Sequence, residues 1–275
     1  MKLKTFVRAA LLPNAVLLVF MLMFGSCKTV EGKNLSSKDS STLALNENKA
    51  GYNTYSNLVW SDEFNCTSLN SSNWTCYEGT MNNPSQLQYY KTENVVVANG
   101  HLAITVKKEA YGGKSYTSGR ISSKDKQSYQ YGKIEAYMLL PIGTGLGSSF
   151  WSMGNLGVWP GCGEIDVLEY KKTSGKIYGT THWDDDGHKS SGVTKSFDPS
   201  GWHKYAIVWN SSTISWYVDD VQYGSSISIS SAAQSELQQK FYFLFNLCIG
   251  DWHGNPDDTT PFPSTFYVDY IRVYQ

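Results

Sequence analysis

From about residue 57 onward, apolar side chains recur at every second position in short runs broken by turn residues. In "HLAITVKK", Leu102, Ile104 and Val106 alternate with more polar neighbours, and the Asn-Gly pair at 99–100 just ahead is a tight-hairpin signal. The same short, strand-like character marks "YGKIEAYMLL", "GEIDVLEY", "KIYGTTHW", "WHKYAIVW", "TISWYVDD", "KFYFLFNLCIG" and "TFYVDYIRVY". Only "SAAQSELQQ", residues 231–239, reads as a short helix. Many strands with regular turn signals, no alternation of strands with helices and no internal repeat predict an all-β antiparallel sandwich.

Composition agrees with that pattern. The 24 Gly, 19 Tyr, 11 Phe and 9 Trp suit turns and pleated surfaces better than helices. With 41% hydrophobic and 17% charged residues in 275, the chain has enough apolar surface for one large core and one domain. A net charge of -1 gives no footprint for nucleic acid. Abundant aromatic rings without positive charge instead suit neutral, hydroxylated ligands whose C–H faces stack on indole and phenol.

The N-terminus follows other rules. Lys2, Lys4 and Arg8 precede the apolar run 9–24, and "GSC" follows, the pattern of an export signal over residues 1–27. A spanning helix needs about 20 apolar residues, and this run is shorter and interrupted by Pro13 and Asn14. Small residues before Cys27 resemble a bacterial lipobox, with Phe24 where Leu is usual. Cys27 is therefore the expected lipidation site, and the protein is expected to be exported and lipid-anchored at a bacterial membrane or cell surface, the alternative being a secreted or periplasmic form. Residues 28–56, rich in Ser, Asn and Lys, read as a flexible tether to a domain at 57–275. With Cys27 given to lipid, four of the five cysteines remain. Cys66 and Cys76 are close enough in sequence for a local disulfide, whereas Cys162 and Cys248 read as small buried hydrophobes.

The candidate chemistry lies in "GEIDVLEY", where Glu164, Asp166 and Glu169 crowd into six positions. Like charges this close raise one another's pKa values, a cost that invites a functional reading. On a regular strand Glu164 and Asp166 share a face and Glu169 points away. A helix leaves the two glutamates about 140° apart. One extra residue, a β-bulge around Val167 or Leu168, brings all three onto one face. The outer pair then approaches the gap of roughly 5 Å used by retaining glycosidases, one carboxylate attacking and one acid protonating. Taken alone, the string would equally suit a solvated edge strand or part of a calcium site.

The strand "CGEIDVLEY" resembles the active-site strand of glycoside hydrolase family 16, in its bulged branch of laminarinases and related endo-β-glucanases. The likeness extends in order through "LVWSDEFN", "QLQYY", "YTSGRI", "YGKIEAYMLLP", "VWPGCGEIDVLEY", "WHKYAIVW", "ISWYVDD", "FNLCIG" and "FYVDYIRVYQ". It implies a β-jelly roll of two antiparallel sheets with an open concave cleft for a polysaccharide substrate. It further implies Glu164 as nucleophile, Glu169 as acid/base and Asp166 as their assistant. Trp159 and Trp252 match sugar-stacking positions, and Arg120, Asn246 and His182 match positions that hydrogen-bond hydroxyls or the nucleophile. No cofactor is required; a structural calcium is expected only on the loose match of Glu63, Gly100 and Asp269. A monomer is expected.

Three departures bear on specificity. Gly147 and Ser148 stand where laminarinases commonly carry a Trp-Pro pair, "SSF" is closer to bacterial lichenases, and Gln86 replaces a usual glutamate. They leave open β-1,3-glucan, mixed-linkage β-1,3-1,4-glucan and a galactan, the last implying an endo-β-galactanase. A non-catalytic carbohydrate-binding sandwich is the reading from another class, and it needs the aromatic residues but not both glutamates.

Overall fold

A computed structural model describes residues 52–275. Residues 1–27 with Cys27, and residues 28–51 of the expected tether, lie outside the described residues. Two sheets of eight strands each face one another. The first runs in space as Val221–Ser228, Thr213–Val218, Trp202–Trp209, Gly132–Leu139, Ser264–Tyr274, His101–Val106 and Val95–Ala98, with Leu58–Asp62 also paired to Ser264–Tyr274. The second runs as His188–Ser196, Lys176–Asp184, Glu164–Lys171, Leu146–Gly154, Phe241–Ile249, Arg120–Ser122 and Thr75–Cys76, with Ser128–Tyr129 also paired to Phe241–Ile249. All pairings within these sheets are antiparallel. Every strand segment read from the sequence forms a strand, and the sheets make the expected sandwich.

The two-residue period decides which side chains meet between the sheets. In Phe241–Ile249 the odd-numbered Phe241, Phe243, Phe245, Leu247 and Ile249 enter the core, and Phe245 stacks on Phe150 of the neighbouring strand with ring centroids 4.5 Å apart. Leu102, Ile104 and Val106 supply the facing layer from the other sheet, each fully buried. Burying an aliphatic or phenyl side chain of this kind contributes about 1.5–3 kcal/mol. The even-numbered Tyr242, Asn246 and Cys248 are thereby left on the outer face of the second sheet, where the cleft lies. At the hairpin after Val95–Ala98, Asn99 and Gly100 take φ of 55° and 78°, the left-handed pair that a tight turn requires.

Three details depart from the sequence reading. Residues 232–238 form a 3-10 stretch interrupted at Gln234 rather than a regular helix. Tyr52, assigned to the tether, is packed against Ala206, Val208 and Tyr217 on the outer face of the first sheet, and its hydroxyl donates to Glu135. Cys76 is a free thiol, so the local Cys66–Cys76 disulfide does not form; Cys162 and Cys248 are buried free thiols.

Candidate active site

The acidic segment forms the strand Glu164–Lys171, inside the second sheet. Toward Leu146–Gly154, Phe150 pairs with Leu168 and Trp151 with Asp166, which leaves Val167 with no partner. Toward Lys176–Asp184, Thr180 pairs with Asp166 and Tyr178 with Glu169, so Val167 and Leu168 together oppose the single residue Gly179. This is the bulge that the spacing predicts. Ile165, Val167, Leu168 and Tyr170 all enter the core, while Glu164, Asp166 and Glu169 all line the cleft.

The core enforces that register. Without the extra residue, Leu168 and Tyr170 would turn outward and Glu169 and Lys171 inward. Exposing a side chain such as Leu168 costs about 1.5–3 kcal/mol, and an uncompensated charge inside costs several kcal/mol more. Trp216 of the opposite sheet stitches the bulge in place, its Nε1–H donating to the Asp166 carbonyl at 2.7 Å. The indole needs the space beside Gly179, where a Cβ would lie 2.1 Å from its Cδ1.

The cleft measures about 690 Å³. Around its carboxylates stand Trp159, Trp151, Trp252, Arg120, Asn246 and Asp251. Of the two outer tryptophans, Trp159 donates from Nε1–H to Glu164 Oε2 at 2.6 Å, and Trp252 lines the cleft with Glu169 and acts to lower that carboxyl's pKa. Asp166 lies between the glutamates along the strand and on the same wall. Burial first, and then the neighbouring Asp166, push Glu164 up to about 8. Burial likewise pushes Asp166 up to about 7. Glu169 is held well above the usual carboxylate range by burial and by the charges of Asp166 and Glu164. The trio therefore titrates as a set, all three carboxyls being raised.

The remaining candidates take distinct places. Asn246 accepts from Trp151 Nε1 at 2.7 Å through its Oδ1, leaving its amide N–H₂ toward the cleft. Arg120 lies over the Trp151 ring at 4.8 Å and donates to Met81 Sδ. Trp159 and Trp252 keep 48% and 36% of their surface exposed, enough for contact with a sugar face. His182, expected to hydrogen-bond a sugar hydroxyl or the nucleophile, stands beside Asp166. Its Nε2 lies 3.1 Å from Asp166 Oδ2 and its Nδ1 2.8 Å from His188 Nε2, so both ring nitrogens are committed to protein partners.

Several lining residues had no assignment from sequence. Asp251 follows the "NLCIG" segment at φ 57° and accepts from Asn83 at 2.8 Å and from Gln86 at 3.4 Å. The amide at 86 thus donates to a carboxylate that a glutamate there would repel. At Gly147 a Cβ would fall 2.3 Å from Nε2 of the buried His253, so this histidine fills the space of any larger side chain.

Among the described residues, Glu164, Asp166 and His182 form the one group with metal-ligand spacing, their donor atoms within 4.8 Å of each other. The loosely matched calcium set fits poorly through its side chains. Both oxygens of Glu63 accept from Arg272, at 2.9 and 2.7 Å, and Asp269 lies 3.5 Å from His101. Those carboxylates are already committed to basic partners.

The sequence profile of Glycosyl hydrolases family 16 matches residues 82–272. The clotting factor G alpha subunit of Tachypleus tridentatus is 38% identical over 229 residues, which make up 79% of this chain and 34% of that protein. The beta-glucanase of Rhodothermus marinus is 31% identical over 242 residues, 79% of this chain and 85% of that protein. The crystal structure of the laminarinase catalytic domain from Thermotoga maritima superposes with a TM-score of 0.70 at 32% identity, covering 79% of this chain and 97% of the other. This chain therefore spans only about a third of the first relative's length.

Raised carboxylate pKa values have a definite sign in stability. The folded state favours the protonated forms, so their contribution is complete below the unfolded values of about 4 and is lost as pH rises through about 7 to 8. Glu169→Gln is expected to melt about 3–6 °C above the wild type at pH 8.5, corresponding to roughly 1–2 kcal/mol, with the gap closing toward pH 4. Thermal melts across that range test this, and a gap independent of pH would contradict it.

Proposed function

The chain belongs to glycosyl hydrolases family 16, and from that premise we propose that it is a retaining endo-β-glucanase acting on β-1,3- or mixed-linkage β-1,3-1,4-glucan. The observation that carries this reading is the bulge, which sets two glutamates and an aspartate side by side along one wall of an aromatic cleft. The names beta-glucanase and laminarinase borne by two relatives support the substrate class.

In the proposed reaction, ionised Glu164 attacks the anomeric carbon while Glu169 passes its proton to the departing glycosidic oxygen. The bond to the leaving sugar breaks as the carbon–carboxylate bond forms. Water then gives a proton to Glu169 and attacks the same carbon, displacing Glu164 and restoring the starting configuration. The strongly raised Glu169 fits the acid role. The Trp159 N–H, held on Glu164 at 2.6 Å, favours that carboxylate's ionised form. Asp166 supplies or accepts the hydrogen bond between them as the charge moves. These side chains and water suffice, and one chain carries the whole cleft.

The exposed faces of Trp159 and Trp252 suit the C–H faces of a neutral glucan. His253 beneath Gly147 takes the room of a third stacking platform, consistent with a glucan chain that bends at mixed linkages.

For location, we propose export and lipid attachment at Cys27. The support is the basic and apolar run ahead of it, together with the position of Tyr52, which pins the start of the domain to the sheet face opposite the cleft.

Reducing-sugar release should be strong from laminarin and barley β-glucan and weak from agarose. Glu164→Ala should fall to background, and Glu169→Ala by about 10²–10⁴-fold on polysaccharide, with partial rescue by azide on an activated aryl glycoside. Equal release by wild type and Glu164→Ala, or preferential release from agarose, would overturn the glucanase reading. Cys27→Ser should move the protein from the membrane fraction to the soluble exported fraction, and an unchanged membrane fraction would overturn the anchor.

A further inference from the structure

The hairpin joining Lys176–Asp184 to His188–Ser196 carries an imidazole that the proposed reaction does not use. Its turn is written in "DDDGH". Asp184 Oδ1 accepts from Gly187 N–H at 2.8 Å, and Asp185 N–H donates to the Gly187 carbonyl at 3.0 Å. Asp186 and Gly187 take φ of 51° and 110°, tolerated by aspartate and free to glycine. The turn sets His188 opposite Asp184 and diagonal to His182, whose direct partner is Ser190. Diagonal neighbours on one sheet face are within reach of rings.

His188 Nε2 lies 2.8 Å from His182 Nδ1, and the two imidazoles stack with centroids 5.0 Å apart at 21°. His182 Nε2 lies 3.1 Å from Asp166 Oδ2. On its other side His188 lies 4.7 Å from the ring of Trp159, whose indole donates to Glu164. One exposed imidazole thus touches both side chains that hold the carboxylates.

Donor and acceptor chemistry sets the direction of this chain. Once Asp166 is ionised, above about pH 7, it only accepts, so His182 must then present Nε2–H to it. A neutral imidazole carries one N–H, which leaves His182 Nδ1 as an acceptor and requires His188 to donate from Nε2–H. Without that donor the Nδ1–H form of His182 becomes available, and it turns a lone pair toward the carboxylate.

We propose that His188 is a positioning residue: it holds His182 in the tautomer that donates to Asp166, and so keeps the Asp166 carboxylate aimed at Glu164. Its kinetic consequence rests on the hydrolase reading above, whereas its tautomeric consequence does not. Two variants separate hydrogen bonding from ring packing. His188→Gln keeps an amide N–H donor near the Nε2 position, and His188→Phe keeps the ring against Trp159 and His182 but donates nothing.

The first readout is the pair of ring ¹⁵N shifts of His182, taken by NMR on ¹⁵N-histidine-labelled protein with melting temperature measured alongside. Wild type and His188→Gln should show the Nε2–H pattern, and His188→Phe a substantial Nδ1–H population. The second is steady-state kinetics on laminarin. His188→Phe should lose about 10-fold in kcat, the lower end for removal of an outer-layer partner, with KM within about twofold. His188→Gln should recover most of that loss. An unchanged His182 tautomer in His188→Phe, or equal losses in both variants, would overturn the proposal. A wild type inactive on every polysaccharide would sink the hydrolase reading, and the NMR comparison would still decide the tautomer claim.

Discussion

Two adjacent apolar residues that must both face the core shape the candidate site. Val167 and Leu168 are each buried between the sheets, which a strand of strict alternation cannot achieve. The chain accommodates them with one extra residue, and every side chain beyond is shifted by one face. The shift carries Glu169 out of the core and into the company of Glu164 and Asp166. The side-by-side placement of the three carboxylates is therefore a by-product of core packing. It is as secure as the hydrophobic stabilisation behind it, and Trp216 adds a hydrogen bond to the bulge backbone through the gap left by Gly179.

Three carboxylates in one partly dry place repel one another, and the surrounding donors are arranged to contain that repulsion. An indole N–H sits on Glu164, Trp252 acts to lower the pKa of Glu169, and an imidazole sits beside the aspartate. The donors are unequal, as the environments are. Glu169, under the charges of both other carboxylates, is driven furthest toward its protonated form. Glu164 has a short hydrogen bond from Trp159 and the favourable influence of His182. Both glutamates are raised, but Trp159 and His182 work against the rise at Glu164, and a difference in that direction is what the acid and nucleophile of a retaining glycoside hydrolase need.

Much of this was legible before any coordinates. Period-two runs located eight of the strands because their inward faces are rich in Leu, Ile, Val and Phe, but not Leu146–Gly154, where Gly and Ser break the apolar period. The odd spacing of Glu169 from Glu164 and Asp166 marked the bulge. The polar strand His188–Ser196 was not legible, because an edge strand with both faces largely wet shows no alternation. The partner of His182, His188, lies on that unread strand, and neither ring nitrogen's commitment can be seen from "TTHW" alone. Asp251 and Asn83 meet only through the folding of a loop over the end of Phe241–Ile249, a contact across 168 positions that no local pattern encodes. The 3-10 stretch at 232–238 was read as a helix because composition does not reveal the break at Gln234.

The central claim is that the bulge makes Glu164 and Glu169 a nucleophile and acid pair on one wall of the cleft. The most direct measurement is covalent trapping with a 2-deoxy-2-fluoro-β-glucan oligosaccharide bearing a good leaving group, followed by mass spectrometry of the digested protein. The account predicts a single glycosyl adduct on the peptide containing the bulge, with fragmentation placing it on Glu164. An adduct on Glu169 or Asp166, or turnover with no adduct and an inverted anomeric product, would contradict it.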